Sequence, residues 1–218
     1  MQWCGEFRSG ELNMNTDCAM QVFRVFAKKC VNNIDSENHY IQAYPLLLKS
    51  TRILGDELGE KAIPAIAHLA YGWMPTIPKN ITFDEIQNKK ILEACEISSP
   101  DESVQFVNKY WGSRSDKPPI NNSWVGSSKV LHFINPEMFP IWDTKVARHF
   151  TRDDNEPLSD ANIRGKHNFY VDYVNFCKQV TKECDKEICI VQKGFRDRIN
   201  YSVTKFRAIE YVLFSSCP

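Results

Sequence analysis

The sequence has no excess of charge of either sign, because 27 Lys plus Arg residues are balanced by 27 Asp plus Glu residues. A neutral chain exerts no long-range attraction on phosphate groups or anionic lipids, so any polyanion must be held by a local patch. The sequence also lacks an apolar run of 18 residues, and its first residues lack the apolar segment of a signal peptide. These absences predict an intracellular protein, cytoplasmic or nuclear, with no membrane partner.

Several common motifs are absent as well. The chain has no phosphate-binding Walker loop, no dinucleotide-binding glycine fingerprint, no serine nucleophile elbow and no zinc-ligand spacing. Their absence disfavours nucleotide-cofactor enzymes and the common hydrolase classes. His132 and His149 lack the spacing of a zinc pair, so we expect no metal and no other cofactor.

The composition is that of a folded globular chain. Hydrophobic residues make up 43% of it and charged residues 25%, with 13 Phe, 8 Tyr and 5 Trp, which excludes disorder and low-complexity repeats. A length of 218 residues is sufficient for one domain with a sizeable core. Of the eight cysteines, Cys18, Cys30 and Cys177 fall on apolar helical stripes, which predicts reduced thiols in the core.

Apolar residues recur at spacings of three and four along most of the chain, which predicts amphipathic helices and an all-α fold. Capping boxes at Thr82 and Ser99 strengthen two of the helix starts. Strand-like alternation is confined to one short candidate, residues 189–195. The predicted helices cover about 17–32, 57–73, 83–97, 100–111, 127–134, 160–183 and 202–215, with two more beginning after Ser36 and at Asp143.

A polar, proline-bearing segment at residues 113–123 interrupts the helical pattern. Such a composition is typical of a connection between packed units. We therefore predict a single helical domain, 1–218, whose two lobes, 1–112 and 124–218, are joined by this segment.

Residues 123–150 differ from the surrounding helices in their density of Gly, Trp, Lys, His, Pro and Asp. Gly126 precedes an apolar helix, and a glycine there permits a tight turn. Such a turn would direct the free backbone N–H groups of residues 127–129 outward, where they suit a phosphate. We therefore predict phosphate contacts at Gly126, Ser127 and Ser128.

Lys129 falls in the first turn of that predicted helix. The helix dipole disfavours a cation there, and burial acts in the same direction, so both would lower the pKa of Lys129. A partly neutral lysine is a nucleophile. The alternative interpretation is an ordinary solvated lysine.

Asp143 follows an extended apolar run and precedes the helical sequence Thr-Lys-Val-Ala, which is the position of a helix N-cap. A capping carboxylate has a fixed direction and can present its second oxygen to a developing cation. Lys129 and Asp143 lie 14 residues apart at consecutive helix starts, so a helix-loop-helix arrangement would bring them to one cleft. A cap with no further role is the alternative for Asp143.

The order Val-Gly-x-x-Lys, an apolar helix, a proline-containing turn and then Asp-Thr-x-Val-x-Arg resembles the helix-hairpin-helix superfamily of DNA glycosylases. The resemblance implies that Lys129 matches the family's Schiff-base lysine and Asp143 its catalytic aspartate. Gly126 would match the hairpin glycine, and Arg148 the arginine of the helix after the aspartate, which we predict to contact a phosphate. It further implies an all-α fold with a helix-hairpin-helix segment and a cleft between two lobes.

The activity implied by this resemblance is base excision from DNA, in which a nucleotide is flipped out of the duplex into a pocket. Asp143 would stabilise the positive charge on the sugar, and Lys129 would attack C1′ to give an imine that permits strand scission. Candidate side chains for lining the pocket are Trp124, His132, Phe139 and Trp142. A structural role in the core is the alternative for each of them.

Some members of the resembled family hold an iron–sulfur cluster on four closely spaced cysteines. Cys177, Cys184 and Cys189 begin in a similar way, but the next cysteine is Cys217. We therefore expect no cluster.

The C-terminal part offers a second candidate surface for a polyanion. Between residues 193 and 207, five basic residues face one acidic residue and are interleaved with Phe195, Tyr201 and Phe206, a combination that suits nucleic acid. An ordinary amphipathic C-terminal helix is the alternative. The basic residues are Lys193, Arg196, Arg198, Lys205 and Arg207, of which the first three are the predicted phosphate contacts.

Three hypotheses for function follow. The first is a DNA glycosylase-like base-excision enzyme that uses Lys129 and Asp143 together. The second is a helical nucleic-acid-binding module without catalysis, and the third is a protein-interaction module, which would expose apolar patches in place of a cleft.

Overall fold

The computed structural model describes residues 14–73, 85–113, 117–152 and 154–217. Almost all of its regular structure is helical, and the one β-pair, β1 (Met14–Asn15) with β2 (Thr151–Arg152), is two residues long and antiparallel. The predicted all-α fold is therefore confirmed. The helices are α1 (Asp17–Cys30), α2 (His39–Leu58), α3 (Ile63–Trp73), α4 (Glu85–Leu92), α5 (Pro100–Trp111), α6 (Trp124–Ile134), α7 (Thr144–Ala147), α8 (Asp160–Gly165), α9 (His167–Glu183), α10 (Asp185–Ile199) and α11 (Lys205–Ser216).

The predicted start of α5 is confirmed. Ser99 Oγ accepts the backbone N–H of Glu102 at 3.3 Å, and Pro100 opens the helix, where its missing N–H costs nothing. The Glu102 carboxylate accepts the N–H of Ser98 at 2.9 Å, one residue before the expected partner. The predicted cap at Thr82 lies outside the described residues.

Three predicted elements differ from those in the structure. Residues 189–195 lie inside α10, because Ile188, Val191 and Phe195 are buried at helical spacing and not at alternate positions. The helix predicted over 160–183 is two helices, α8 and α9, separated at Lys166. Residues 57–73 likewise divide, since α2 continues to Leu58 and a 3₁₀ turn leads into α3.

One helix, α6, lies at the centre of the packing. Helices α2, α3 and α8 contact it, while α1 packs on α10 and α11, and α5 packs on α9. The buried side chains form one continuous core that includes residues on both sides of 113–123. The division into two lobes stays a prediction.

The cysteines divide between core and surface. Cys30 and Cys177 are buried as predicted, and burial raises the pKa of both thiols, that of Cys30 to about 12. Cys18 is exposed in the first turn of α1, so its assignment to the core is wrong. The apolar stripe of α1 is formed by its neighbours Ala19 and Met20.

Gly126 permits the close packing of α3 on α6. A Cβ atom at this position would lie 1.9 Å from the hydroxyl oxygen of Tyr71 and 2.8 Å from its ring carbon Cζ. The sequence pattern places this glycine in a turn before the helix. It is instead the third residue of α6, and its role is to let the Tyr71 ring approach.

We predict that Gly126→Ala destabilises the protein by about 1 to 3 kcal/mol, because the added methyl group overpacks the contact with Tyr71. Gly55→Ala in α2 is the matched control, since nothing lies within 4 Å of a Cβ there. This control should gain about 0.5 to 1 kcal/mol from helix propensity. Urea denaturation measures both values, and equal changes in the two variants would show that Tyr71 does not set the requirement for glycine.

Candidate functional site

Polar side chains of α6 hold the chain segments on either side of it. Ser127 Oγ accepts the backbone N–H of Ile120 at 3.0 Å, and Ser128 Oγ accepts that of Trp142 at 3.0 Å. The Ser128 hydroxyl also lies 3.3 Å from the carbonyl oxygen of the same residue, Trp142. These bonds fix the extended segment before Asp143 against the helix.

The predicted phosphate site at the start of α6 is therefore wrong in its geometry. The helix begins at Trp124 and not near residue 127, so the N–H groups of residues 127–129 lie inside it. The N–H groups of Gly126 and Ser127 donate to the carbonyl oxygen of Ser123 at 3.1 and 2.8 Å. Both Ser127 and Ser128 are fully buried, so neither hydroxyl faces solvent.

The four side chains predicted to line a base pocket are also fully buried: Trp124, His132, Phe139 and Trp142. Trp124 stacks on Tyr170 with the ring centroids 4.9 Å apart, and the indole N–H of Trp142 donates to the carbonyl oxygen of Ile163 at 2.8 Å. These four residues are therefore part of the packed interior and are closed to solvent. The prediction that they contact a base is wrong, because a fully buried side chain offers no surface to a ligand.

His132 joins two backbone segments through both ring nitrogens. Its Nδ1 lies 2.7 Å from the carbonyl oxygen of Phe139, which can only accept, so Nδ1 carries the proton. Nε2 then accepts the hydroxyl of Tyr44 at 2.7 Å. Burial lowers the pKa of His132 to about 3, because the charged imidazolium would be desolvated in the core. His132 is therefore a neutral structural group.

We predict that His132 makes the protein sensitive to acid. The unfolded chain binds a proton on this residue below about pH 6.5, whereas the folded protein does so only below about 3. Stability is therefore lost as the pH falls between these values, by about 2 to 3 kcal/mol from pH 7 to 4.5. In His132→Gln this part of the loss should disappear. His68→Gln, at an exposed histidine of α3, is the control and should retain the wild-type loss in urea denaturation at both pH values.

Lys129 and Asp143 form a buried ion pair. Lys129 Nζ lies 3.2 Å from Asp143 Oδ2, and the two side chains are only 5% and 11% exposed. Asp143 is the N-cap of α7, with Oδ1 accepting the backbone N–H of Lys145 at 3.0 Å. Each carboxylate oxygen therefore has a fixed direction, one toward the helix and one toward the lysine.

The position of Lys129 differs from the expected one. It is the sixth residue of α6, in the second turn, so the dipole of the helix start has little effect on it. Burial lowers its pKa, and the Asp143 carboxylate opposes this in part by favouring the ammonium form. The net direction is downward, as predicted, with desolvation as the main cause.

The pair forms part of the wall of a cavity of about 400 Å³, which is within the range of small-molecule sites. Most of the residues in the wall are polar in type, and Arg164 of α8 contributes a second cation. Sequence reasoning had identified Gly126, Lys129 and Asp143 from this set and missed the rest. The full lining is Tyr71, Asn121, Asn122, Ser123, Val125, Gly126, Lys129, Asp143, Thr144 and Arg164.

The remaining predicted phosphate contacts lie elsewhere. Arg148 is exposed at the end of α7, and Lys193, Arg196 and Arg198 are exposed on α10. Arg198 donates to the carbonyl oxygen of Ile34 at 3.1 Å, which ties it to the core. None of the four belongs to the cavity wall. As surface cations they stay predicted contacts for a polyanion.

A larger cavity of about 780 Å³ lies between α2 and the C-terminal end of α6. Its wall is mainly apolar and includes Leu46, which is 66% exposed, together with Phe133 and Ile134. The ion pair in this wall, Arg52–Asp56 at 3.9 Å, is exposed to solvent, unlike the buried pair Lys129–Asp143.

We predict that the ion pair contributes to stability as a unit. Lys129→Met leaves the Asp143 carboxylate buried without its cation, which should cost about 3 to 5 kcal/mol. Asp143→Asn retains a capping side chain but removes the charge. The double variant should be more stable than the sum of the two single changes implies, as a double-mutant cycle in urea would show. The exposed pair Arg24–Glu183 is the control and should show little coupling. Additive effects at Lys129 and Asp143 would mean that the two charges do not interact.

Comparisons of this chain with protein-family models, curated proteins and solved structures find no match. Across the ranges that the structure describes, no helix combines the length and apolar character needed to span a bilayer, and no three His, Cys, Asp or Glu side chains form a metal-binding group.

Proposed function

We propose that this chain is a DNA base-excision enzyme of the glycosylase type, acting on a damaged or modified base. The observation that carries the proposal is the contact between Lys129 and Asp143, buried together in the wall of a cavity of about 400 Å³. A desolvated lysine beside a fixed carboxylate is a common arrangement for covalent catalysis at a carbonyl-like carbon. The resemblance of residues 123–150 to helix-hairpin-helix glycosylases supports the same assignment.

Lys129 would act as the nucleophile. Burial lowers the pKa of its ammonium group, so at any given pH more of the side chain is the nucleophilic neutral amine than it would be for a lysine with an unshifted pKa. The Nζ lone pair would bond to C1′ of the sugar as the bond from C1′ to the base nitrogen breaks, and the base would leave with a proton. The C1′–O4′ bond of the sugar ring then breaks to give an imine between Nζ and C1′. Of the two protons that the Nζ amine loses, one goes to the departing base and the other to O4′.

Asp143 would stabilise the transition state. Breaking the glycosidic bond places positive charge on the sugar, and a carboxylate of fixed direction lowers the energy of that charge. Its Oδ1 is held by the N–H of Lys145, so Oδ2, which faces Lys129 Nζ, is the oxygen that would contact the sugar. The cap therefore orients the group before the substrate arrives.

The apolar surface beside α2 supports a second candidate function, a protein-interaction module without catalysis. Leu46 and Ile53, which are 66% and 45% exposed, lie seven residues apart on one face of α2, next to the larger cavity. Such a module would not require the buried pair to react.

We predict that borohydride traps a covalent complex between the protein and a duplex that contains the cognate damaged base or an abasic site. The hydride reduces the imine to a stable secondary amine, so the complex survives denaturing electrophoresis. Lys129→Ala should abolish the complex, and Asp143→Asn should reduce formation of the abasic product by at least about 100-fold. Lys145→Ala, at an exposed lysine two residues from Asp143, is the matched control and should react like the wild type.

Abasic-site formation must be scored in the same reactions, because an enzyme that activates water leaves no adduct. An adduct that persists in Lys129→Ala would exclude Lys129 as the nucleophile. The absence of both adduct and abasic product, across duplexes with oxidised, alkylated and deaminated bases, would contradict the enzymatic proposal and favour the interaction module.

A further inference from the structure

The cavity beside Lys129 carries a surplus of positive charge. Lys129 and Asp143 neutralise each other at 3.2 Å, which leaves Arg164 as the other charged member of the wall. Arg164 is exposed in the last turn of α8, and no carboxylate within the described residues forms an ion pair with it. Its guanidinium is therefore available to an anionic ligand.

The rest of the wall is suited to a polar ligand. Asn121 and Asn122 both have left-handed backbone angles, with φ values of 56° and 51°, and asparagine is among the few residues other than glycine that adopt this region readily. Two such residues in succession bring polar side chains to the same edge of the cavity. Residues held in sparsely populated backbone conformations are concentrated at binding sites.

The wall also lacks the surfaces on which a base would stack. The indole and phenyl rings of this region are buried behind it, and Tyr71 is the aromatic member of the lining. A cation, amides and hydroxyl groups match a sugar phosphate better than they match the faces of a base. A guanidinium binds phosphate through two parallel N–H bonds, which a surface lysine cannot do.

We infer that Arg164 is the phosphate-binding residue of this site and that the cavity takes a pentose phosphate, with the sugar carbon C1′ at Lys129. This inference rests on the proposed function in its use of Lys129, but the phosphate contact can be tested without any base excision. It also relocates the phosphate site from the start of α6, where the sequence pattern suggested it, to the last turn of α8.

The test uses 2-deoxyribose 5-phosphate, with 2-deoxyribose as the probe that lacks the phosphate. The open-chain form of each sugar carries an aldehyde, whose oxygen leaves as water when Lys129 Nζ forms the imine, and borohydride reduces the imine to a secondary amine. Mass spectrometry of the intact protein and of its peptides reports the extent and position of the adduct as the probe concentration varies.

The wild type should reach half-maximal labelling of Lys129 at a concentration of the phosphorylated sugar at least about tenfold lower than that of the plain sugar, the scale of one charge-assisted hydrogen bond. Arg164→Ala should abolish this preference by raising the half-maximal concentration of the phosphorylated sugar to that of the plain sugar. Arg164→Lys should retain part of it. Lys166→Ala is the matched control, because Lys166 is exposed two residues away and outside the cavity wall.

Equal labelling by the two sugars in the wild type, or an unchanged preference in Arg164→Ala, would overturn the inference. Should the sugars give no adduct at Lys129, saturation-transfer NMR measures binding of the phosphorylated sugar directly, and equal signals for the wild type and Arg164→Ala overturn the inference in the same way. A preserved phosphate preference without any excision of bases from duplex DNA would refute the proposed enzyme and keep the phosphate site. Excision of bases that is equally fast in the wild type and in Arg164→Ala would support the proposed enzyme and refute the phosphate site at Arg164.

Discussion

A lysine that is almost completely removed from water needs a carboxylate beside it, and this requirement governs the region around α6. Desolvation of an ammonium group costs several kcal/mol, which an adjacent negative charge offsets only when the geometry is fixed. Asp143 meets the condition because its other oxygen is held as a helix cap. The pair is thus both a structural element and the arrangement from which a nucleophile can form.

The surrounding fold fixes the two members of this pair independently. Lys129 belongs to a helix that is buried over nearly its whole length, and Asp143 lies at the end of an extended segment tied to that helix. Ser128 and His132, four residues apart on α6, bind the backbone of Trp142 and Phe139, respectively. Because residues 128 and 142 are joined, their neighbours in the chain, Lys129 and Asp143, are placed side by side.

Local sequence patterns predicted much of this structure. Spacings of three and four residues identified most of the helices, and Ser99 and Asp143 were recognised as caps because capping depends on residues close in sequence. The contact between Lys129 and Asp143 also followed from neighbouring helix starts, although α6 begins earlier than expected.

Contacts between distant segments could not be predicted in this way. Ser127 and Ser128 resembled free groups at a helix start, since nothing nearby in the sequence shows that Ile120 and Trp142 would occupy them. Trp124 and Trp142 were predicted to stack on a base for the same reason, since nothing nearby in the sequence shows that their rings are buried. Tyr71 and Arg164 reach the cavity from helices that are distant in the sequence, and neither belongs to a recognisable motif. The Asn121-Asn122 pair is typical of left-handed turns, so it is the part of the missed lining that the sequence could have indicated.

The central claim is that burial beside Asp143 lowers the pKa of the Lys129 ammonium group, and the titration of this group tests it most directly. Heteronuclear NMR of protein labelled at the lysine side chains follows each ammonium group with pH, and the resonance missing from a variant without Lys129 assigns the signal. The account predicts that Lys129 titrates below the ordinary lysine pKa of 10.5 and below the surface lysines of the same protein. Titration together with those surface lysines, or above them, would contradict it.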